Sequence, residues 1–203
     1  MSSEKRFGYE WDKFHHVDQR YESQFRNWIY PLSEQDFKDK KVLDAGCGMG
    51  RNSFWVLKWG AREVVAFDYD ERSIRRARQN LSKFKNATVL FRSIYDIDWR
   101  DKFDTVFSIG VIHHLRDPKR ALKNLIASLK PGGTLLVWVY GREGNEWIVR
   151  FVDPIRKNIT SKLPVSVVYF LSYICSVPLW VFVKIVRGPT SYFNQLSTFK
   201  FRH

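Results

Sequence analysis

Val42-Leu43-Asp44-Ala45-Gly46-Cys47-Gly48-Met49-Gly50-Arg51-Asn52-Ser53 is the stretch on which the fold turns. The apolar run Lys41–Ala45 reads as a buried strand. Three alternating glycines follow, and Arg51–Trp59 reads as a helix stopped by Gly60. Glycines at this spacing permit a tight turn and let a ligand approach the backbone. The helix start beyond them offers free N–H groups to an anionic group such as a carboxylate. Dinucleotide sites space their glycines as G-x-G-x-x-G, and Arg51 stands where the third would fall. That argues against NAD or FAD.

Outward from this turn, short apolar runs alternate with helical patterns. Strands are expected at Glu63–Phe67 (ending at Asp68), Thr88–Phe91, Phe103–Ser108 and Thr134–Tyr140. Helices are expected at Glu71–Lys83 and Pro118–Leu129, the second capped by Asp117. Pro131-Gly132-Gly133 reads as a turn ahead of the fifth strand. Alternation of this kind, with right-handed crossovers, predicts a Rossmann-like α/β fold around a doubly wound, mostly parallel sheet. Residues 1–35 read as an amino-terminal helical arm, 36–140 as the ligand-binding domain, and 141–203 as an apolar helical carboxyl-terminal segment.

Composition narrows the class. The chain has 203 residues with ordinary apolar and charged fractions, which excludes wholesale disorder. Two cysteines, Cys47 and Cys175, are too few for a disulfide framework or a Cys-rich zinc site. No His, Cys and carboxylate spacing reads as a metal site. No apolar signal core follows Met1, so the expected compartment is the cytoplasm. The net charge is +13, and residues 41–140 hold 18 of the basic groups against 10 acidic ones. Such an excess suits nucleic acid, an anionic membrane surface or an acidic substrate, and its sign alone does not choose.

Asp68 ends the second strand 22 residues after Gly46. An acid there can accept hydrogen bonds from both hydroxyls of a ribose. Tyr69 can pack on an adenine face, and Ser93, Ile94 and Asp96 are expected near the adenine edge. On these residues the chain resembles the class I S-adenosylmethionine-dependent methyltransferases. VLDAGCGMGRNS (42–53), VVAFDYD (64–70), FDTVFSIGVIHHL (103–115) and LKPGGTLLVWVY (129–140) are similar to their first, second, fourth-strand and fifth-strand motifs. FGYEWDKF (7–14) resembles the amino-terminal signature of a subgroup.

The resemblance implies S-adenosylmethionine as cofactor and S-adenosylhomocysteine as product. It implies that Gly46, Cys47, Gly48 and Gly50 hold the methionine part, with Asp44 supporting the turn and Arg51 pairing with its carboxylate. Asp68 would hold the ribose, Tyr69 and Ile94 would sandwich the adenine, and Ser108, Ile109 and Gly110 would lie beneath the sulfonium. Ser93 departs from the Asp of many members, which weakens the adenine contact. The family ends on a reversed strand pair in the sheet order 3-2-1-4-5-7-6. Residues 141–203 offer no match to it, so the pair is expected to be missing here.

Methyl transfer from a sulfonium needs chiefly positioning, and a base only where the acceptor must lose a proton. His113 and His114, just past the fourth strand, are the candidate bases. A packing role for the pair stays open beside the catalytic one. His15 and His16, the arm aromatics Tyr9, Trp11 and Phe14, and the loop Arg142, Glu143, Asn145, Glu146 and Trp147 are candidates for lid or acceptor contacts.

Val165–Val183 carries no charge, with Lys157 and Lys162 before it and Lys184 and Arg187 after. A lid or homodimer contact, a helix lying in a membrane interface, and a membrane span stay open. Each suggests an apolar or amphipathic acceptor. The expected function is therefore methyl transfer to a small-molecule or lipid-linked acceptor by in-line displacement, with peripheral membrane contact. A nucleic-acid methyltransferase is the alternative suggested by the charge. It is set aside because no RNA-binding module is appended and no Asn/Asp-Pro-Pro-aromatic motif follows the fourth strand. A non-catalytic cofactor-binding module is the second alternative.

Overall fold

In the computed structural model the described residues are 19–140, together with 150, 153–155, 158–159, 162–164, 166–168, 170–174 and 176–178. Residues 2–140 and 141–203 form two compact units, which are described in turn.

The first unit is built on five parallel strands: β1 Lys41–Ala45, β2 Glu63–Asp68, β3 Ala87–Phe91, β4 Phe103–Ile109 and β5 Leu129–Trp138. Their order is β3-β2-β1-β4-β5. Every pairing is parallel, with Leu43 opposite Val65 on one side and Val106 on the other. β1, β2 and β4 are buried on both faces, which is why they read as continuous apolar runs instead of alternating ones. This is the expected Rossmann-like sheet. The expectation that the final reversed pair is missing concerns 141–203, most of which lies outside the described residues, and no sixth strand occurs among the described residues.

Helices α1 Arg20–Ile29, α2 Arg51–Lys58, α3 Glu71–Leu81 and α4 Pro118–Ser128 flank the sheet. Short polar side chains start two of them. The Ser73 N–H donates to Asp70 Oδ1 at 2.9 Å, and the Arg120 N–H donates to Asp117 Oδ1 at 2.9 Å. α1 is more than a cover. Phe25 and Ile29 are buried in a core with Phe37, Trp55 and Phe107. Phe25 stacks on Trp59 at 5.4 Å, and the Trp59 Nε1–H donates to Glu22 at 3.0 Å. A second core holds Leu43, Val65, Phe103, Ile112 and Leu125.

One expectation needs correction. Pro131-Gly132-Gly133 is not a turn ahead of a strand at Thr134–Tyr140. Leu129 already pairs with Phe103, Thr134 next pairs with Thr105, and the intervening residues bulge within β5. Gly132 takes a φ of 74° to make the bulge, and the strand ends at Trp138.

In the second unit, Asp153–Ile155 forms a helical turn, and 166–168, 170–174 and 176–178 are helical. Phe170, Leu171, Tyr173 and Ile174 are exposed. Among the described residues no helix is long and apolar enough to cross a membrane. Residues 7–14, His15, His16, 142–147, Lys157, Cys175, Lys184 and Arg187 lie outside the described residues, as does much of 165–183.

Candidate functional site

The carboxyl ends of β1, β2, β4 and β5 open into one cleft. Gly46, Cys47, Gly48, Met49, Arg51 and Asn52 form its floor, with Asp68, Tyr69, Asp70 and Ser73 along one side. Ile109, Gly110, Val111, His114, Leu115, Trp138, Tyr140 and, from α1, Trp28 make up the remainder.

The floor is held by the backbone of β2. The N–H groups of Gly46 and Cys47 both donate to the Phe67 carbonyl at 2.9 Å. Gly46 has a φ of +81°, and a Cβ built there would lie 2.5 Å from Val111 Cγ2. Any larger residue would meet both the strained backbone and that methyl group. Gly50 starts α2 in the left-handed region, and a Cβ there would press on Ala77 and Leu81 of α3.

Two acids sit under this turn. Asp44 is 1% exposed and accepts from Ser53 Oγ at 2.6 Å. Burial pushes its pKa up to about 7, with the nearby Asp68 charge adding to the rise. Asp68 Oδ2 accepts from the Gly48 N–H at 2.9 Å, and Oδ1 from the Asp70 N–H at 3.0 Å. Burial raises the Asp68 pKa, and these backbone donors offset part of the rise. Cys47 is buried, which pushes its thiol well above the ordinary range and leaves it protonated at neutral pH.

The cleft does not use every candidate alike. Gly46, Cys47, Gly48, Arg51, Asp68, Tyr69, Ile109 and His114 line it. Tyr69 is exposed and stacked on Phe91 at 5.3 Å. Ile94 is instead buried in the second core, and the Ser93 Oγ accepts from the Tyr95 N–H at 3.2 Å. Asp96 is exposed. Ser108 is fully buried and donates to the Ala45 carbonyl at 2.8 Å, tying β4 to β1. His113 lies against His114 with ring centres 3.9 Å apart, and burial lowers its pKa. It is therefore largely neutral near pH 7 and able to accept a proton.

Several cleft residues escaped the sequence reading, Trp28 and Asn52 among them. Trp28 was legible only as an arm aromatic. Asn52 lines the cleft with its buried Oδ1 unpartnered. Its signal was its place at the second position of the helix after the glycine turn. The Arg51 guanidinium lies 4.4 Å from the centre of the Tyr21 ring, so α1 also braces the residue expected to meet a carboxylate. An orphaned amide oxygen, a glycine floor and a strand-end carboxylate in one cleft fit a ligand with an ammonium, a close-lying chain and a ribose. S-adenosylmethionine is such a ligand.

The methyltransferase-domain family model matches residues 36–150. The chain belongs to that family. A tRNA U34 carboxymethyltransferase from Campylobacter hominis is 30% identical over 168 residues, covering 81% of this chain and 56% of the relative. One from Idiomarina loihiensis is 34% identical over 119 residues, covering 56% and 37%. A Listeria monocytogenes protein assigned to the S-adenosylmethionine-dependent methyltransferases has a similar solved structure. Its TM-score is 0.51 at 25% identity, covering 57% of this chain and 53% of that one. The chain thus spans from about a third to a little over half the length of these relatives. As a member of the methyltransferase-domain family it has the expected class I fold, enzyme class and cofactor, S-adenosylmethionine.

The relatives correct the expected acceptor. A small-molecule or lipid-linked acceptor, with nucleic acid set aside as a partner, is overturned by enzymes named for a tRNA uridine. The missing Asn/Asp-Pro-Pro-aromatic motif was a weak reason for exclusion. That motif serves amine acceptors, and uridine has no exocyclic amine. A separate module is not needed either, because a basic surface can supply backbone affinity by itself.

Proposed function

We propose that this chain is an S-adenosylmethionine-dependent RNA methyltransferase whose substrate is tRNA, acting in the cytoplasm. The observation that carries this reading is the 30% identity over 168 residues with a tRNA-modifying enzyme. The excess of basic groups in residues 41–140 supports it.

Bound S-adenosylmethionine supplies a methyl group activated by a sulfonium. The chain's own residues supply position. A carboxylate has about four lone-pair sites. Asp68 turns this capacity partly to the Gly48 and Asp70 N–H groups, with the Tyr69 N–H also directed at it, and the remainder serves the ribose hydroxyls. The Asn52 Oδ1 accepts from the ammonium of the methionine part. Arg51, propped by Tyr21, opposes its carboxylate. Tyr69, backed by Phe91, offers a ring face to the adenine. Ser108 fixes the floor beneath, and Ile94 backs it from the core without direct contact. His114, which lines the cleft, and His113, packed against it, are the groups to take a proton where the acceptor atom must lose one.

The test is incubation with radiolabelled S-adenosylmethionine and bulk tRNA, with a lipid extract in parallel. Label in tRNA, lost in Asp68→Ala, is the expected result. Label confined to lipid overturns the reading.

A further inference from the structure

Three aromatic rings that line the cleft, Trp28, Trp138 and Tyr140, form a chain of contacts that ends on His113. Trp28 meets Trp138 at 5.1 Å, Trp138 meets Tyr140 at 4.8 Å, and Tyr140 meets His113 at 5.0 Å. The rings come from α1, from the end of β5 and from the turn after β4. Trp138 and His113 both meet Tyr140 near perpendicular, at 73° and 85°. Tyr140 is 66% exposed all the same. Leaving a large aromatic side chain in water forgoes the gain of burying its ring. Packing does not explain this ring, and the positions assigned to the cofactor do not use it.

Charges close in sequence to His113 and to the cleft-lining Leu115 point to an occupant. Arg116, Lys119 and Lys123 follow His114 within nine residues, and all are basic; Arg116 and Lys119 are exposed. None of the three has an acidic partner among the described residues. The one acid among them, Asp117, accepts from the Arg120 N–H. Rings beside unpaired cations are how single-stranded nucleic acid is held, with bases on the rings and phosphates on the cations.

We infer that Tyr140 and Trp138 form the stacking platform for an unpaired acceptor base of RNA, with Arg116 holding the adjoining phosphate. The inference rests on the RNA reading above and deepens it. It requires the base to leave any duplex before it reaches the cleft.

The experiment measures binding of a labelled ten-nucleotide oligouridylate and of a duplex RNA of equal length, each across a salt series. S-adenosylhomocysteine binding is measured alongside. The wild type should prefer the single strand. Tyr140→Ala should weaken oligouridylate binding by about 5- to 150-fold, the range for losing one stacked base. Its salt slope should stay unchanged, and Tyr140→Phe should restore affinity. Arg116→Ala should instead reduce the slope by about 0.7. S-adenosylhomocysteine affinity should be the same in Tyr140→Ala, which also shows that the variant is folded. Undiminished oligouridylate binding by Tyr140→Ala, or an equal loss of S-adenosylhomocysteine, overturns the platform and leaves the RNA reading standing. A wild type that binds neither RNA at low salt overturns both.

Discussion

The two ends of the β-sheet treat their acids in opposite ways. At the amino ends of the strands, Asp104 accepts from the Lys41 N–H at 2.7 Å, from Lys130 Nζ at 2.7 Å and from Arg62 at 3.3 Å. Burial raises its pKa, but these donors outweigh burial and hold it below the ordinary carboxylate range. At the carboxyl ends, Asp44 and Asp68 have no ion pair to a basic side chain among the described residues, and both pKa values are raised. Asn52 there lacks a partner for its buried oxygen. One end satisfies its polar groups internally. The other leaves capacity that a ligand can take up. Stability and binding are thus placed at opposite ends of the same strands.

This contrast breaks most visibly at Asp68. Asp68→Ala should weaken S-adenosylhomocysteine binding by about 100-fold, the size expected for losing charged hydrogen bonds. Calorimetric titration measures it, and a change of less than threefold would remove Asp68 from the site. Asp104→Ala should do the reverse, lowering unfolding free energy by about 2 kcal/mol while leaving that affinity unchanged. Because the folded pKa of Asp104 is depressed, its stabilisation is present above about pH 4 and lost as the pH falls through the folded value. Urea melts at pH 7 and pH 2.5 should show the variant and wild type converging in acid.

Asp44 sharpens the comparison with a smaller effect of opposite sign. Its folded pKa is raised to about 7, so the folded state holds a proton that the unfolded state has released. Stability from this group therefore falls as pH rises from about 4 towards 7. Asp44→Asn keeps an acceptor for Ser53 and should flatten that slope in denaturant melts across the window. Asn52→Ala should give the smallest change. The expected loss is about fivefold in S-adenosylhomocysteine affinity, with no drop in Tm because a buried orphan is removed along with the contact. A lowered Tm would mean that Asn52 serves the fold.

These differences also explain what the sequence could reveal. β1, β2 and β4 were legible because strands buried on both faces are apolar throughout. The Gly46–Gly50 turn and Asp68 were legible because backbone conformation and a strand-end charge both leave marks in residue type. β5 was misread at its start, because a proline and two glycines mark a bulge within a strand as readily as a turn before one. Ile94 and Trp28 traded places for a similar reason. An apolar residue carries no sign of which side it will face, so Ile94 went to the core and Trp28 to the cleft. The acceptor was the least legible, since a charge excess suits several polyanions and fold alone does not choose among them.

The close approach of Gly46 to Val111 gives the two arms of the cleft a shared joint. Val111 is two residues before His113, and its methyl groups rest against the glycine turn. Any adjustment of that turn on filling changes the magnetic surroundings of those methyls. An isotope-labelled Val111 would therefore act as a resident spectator, reporting occupancy by its NMR shift without a probe placed in either half of the cleft.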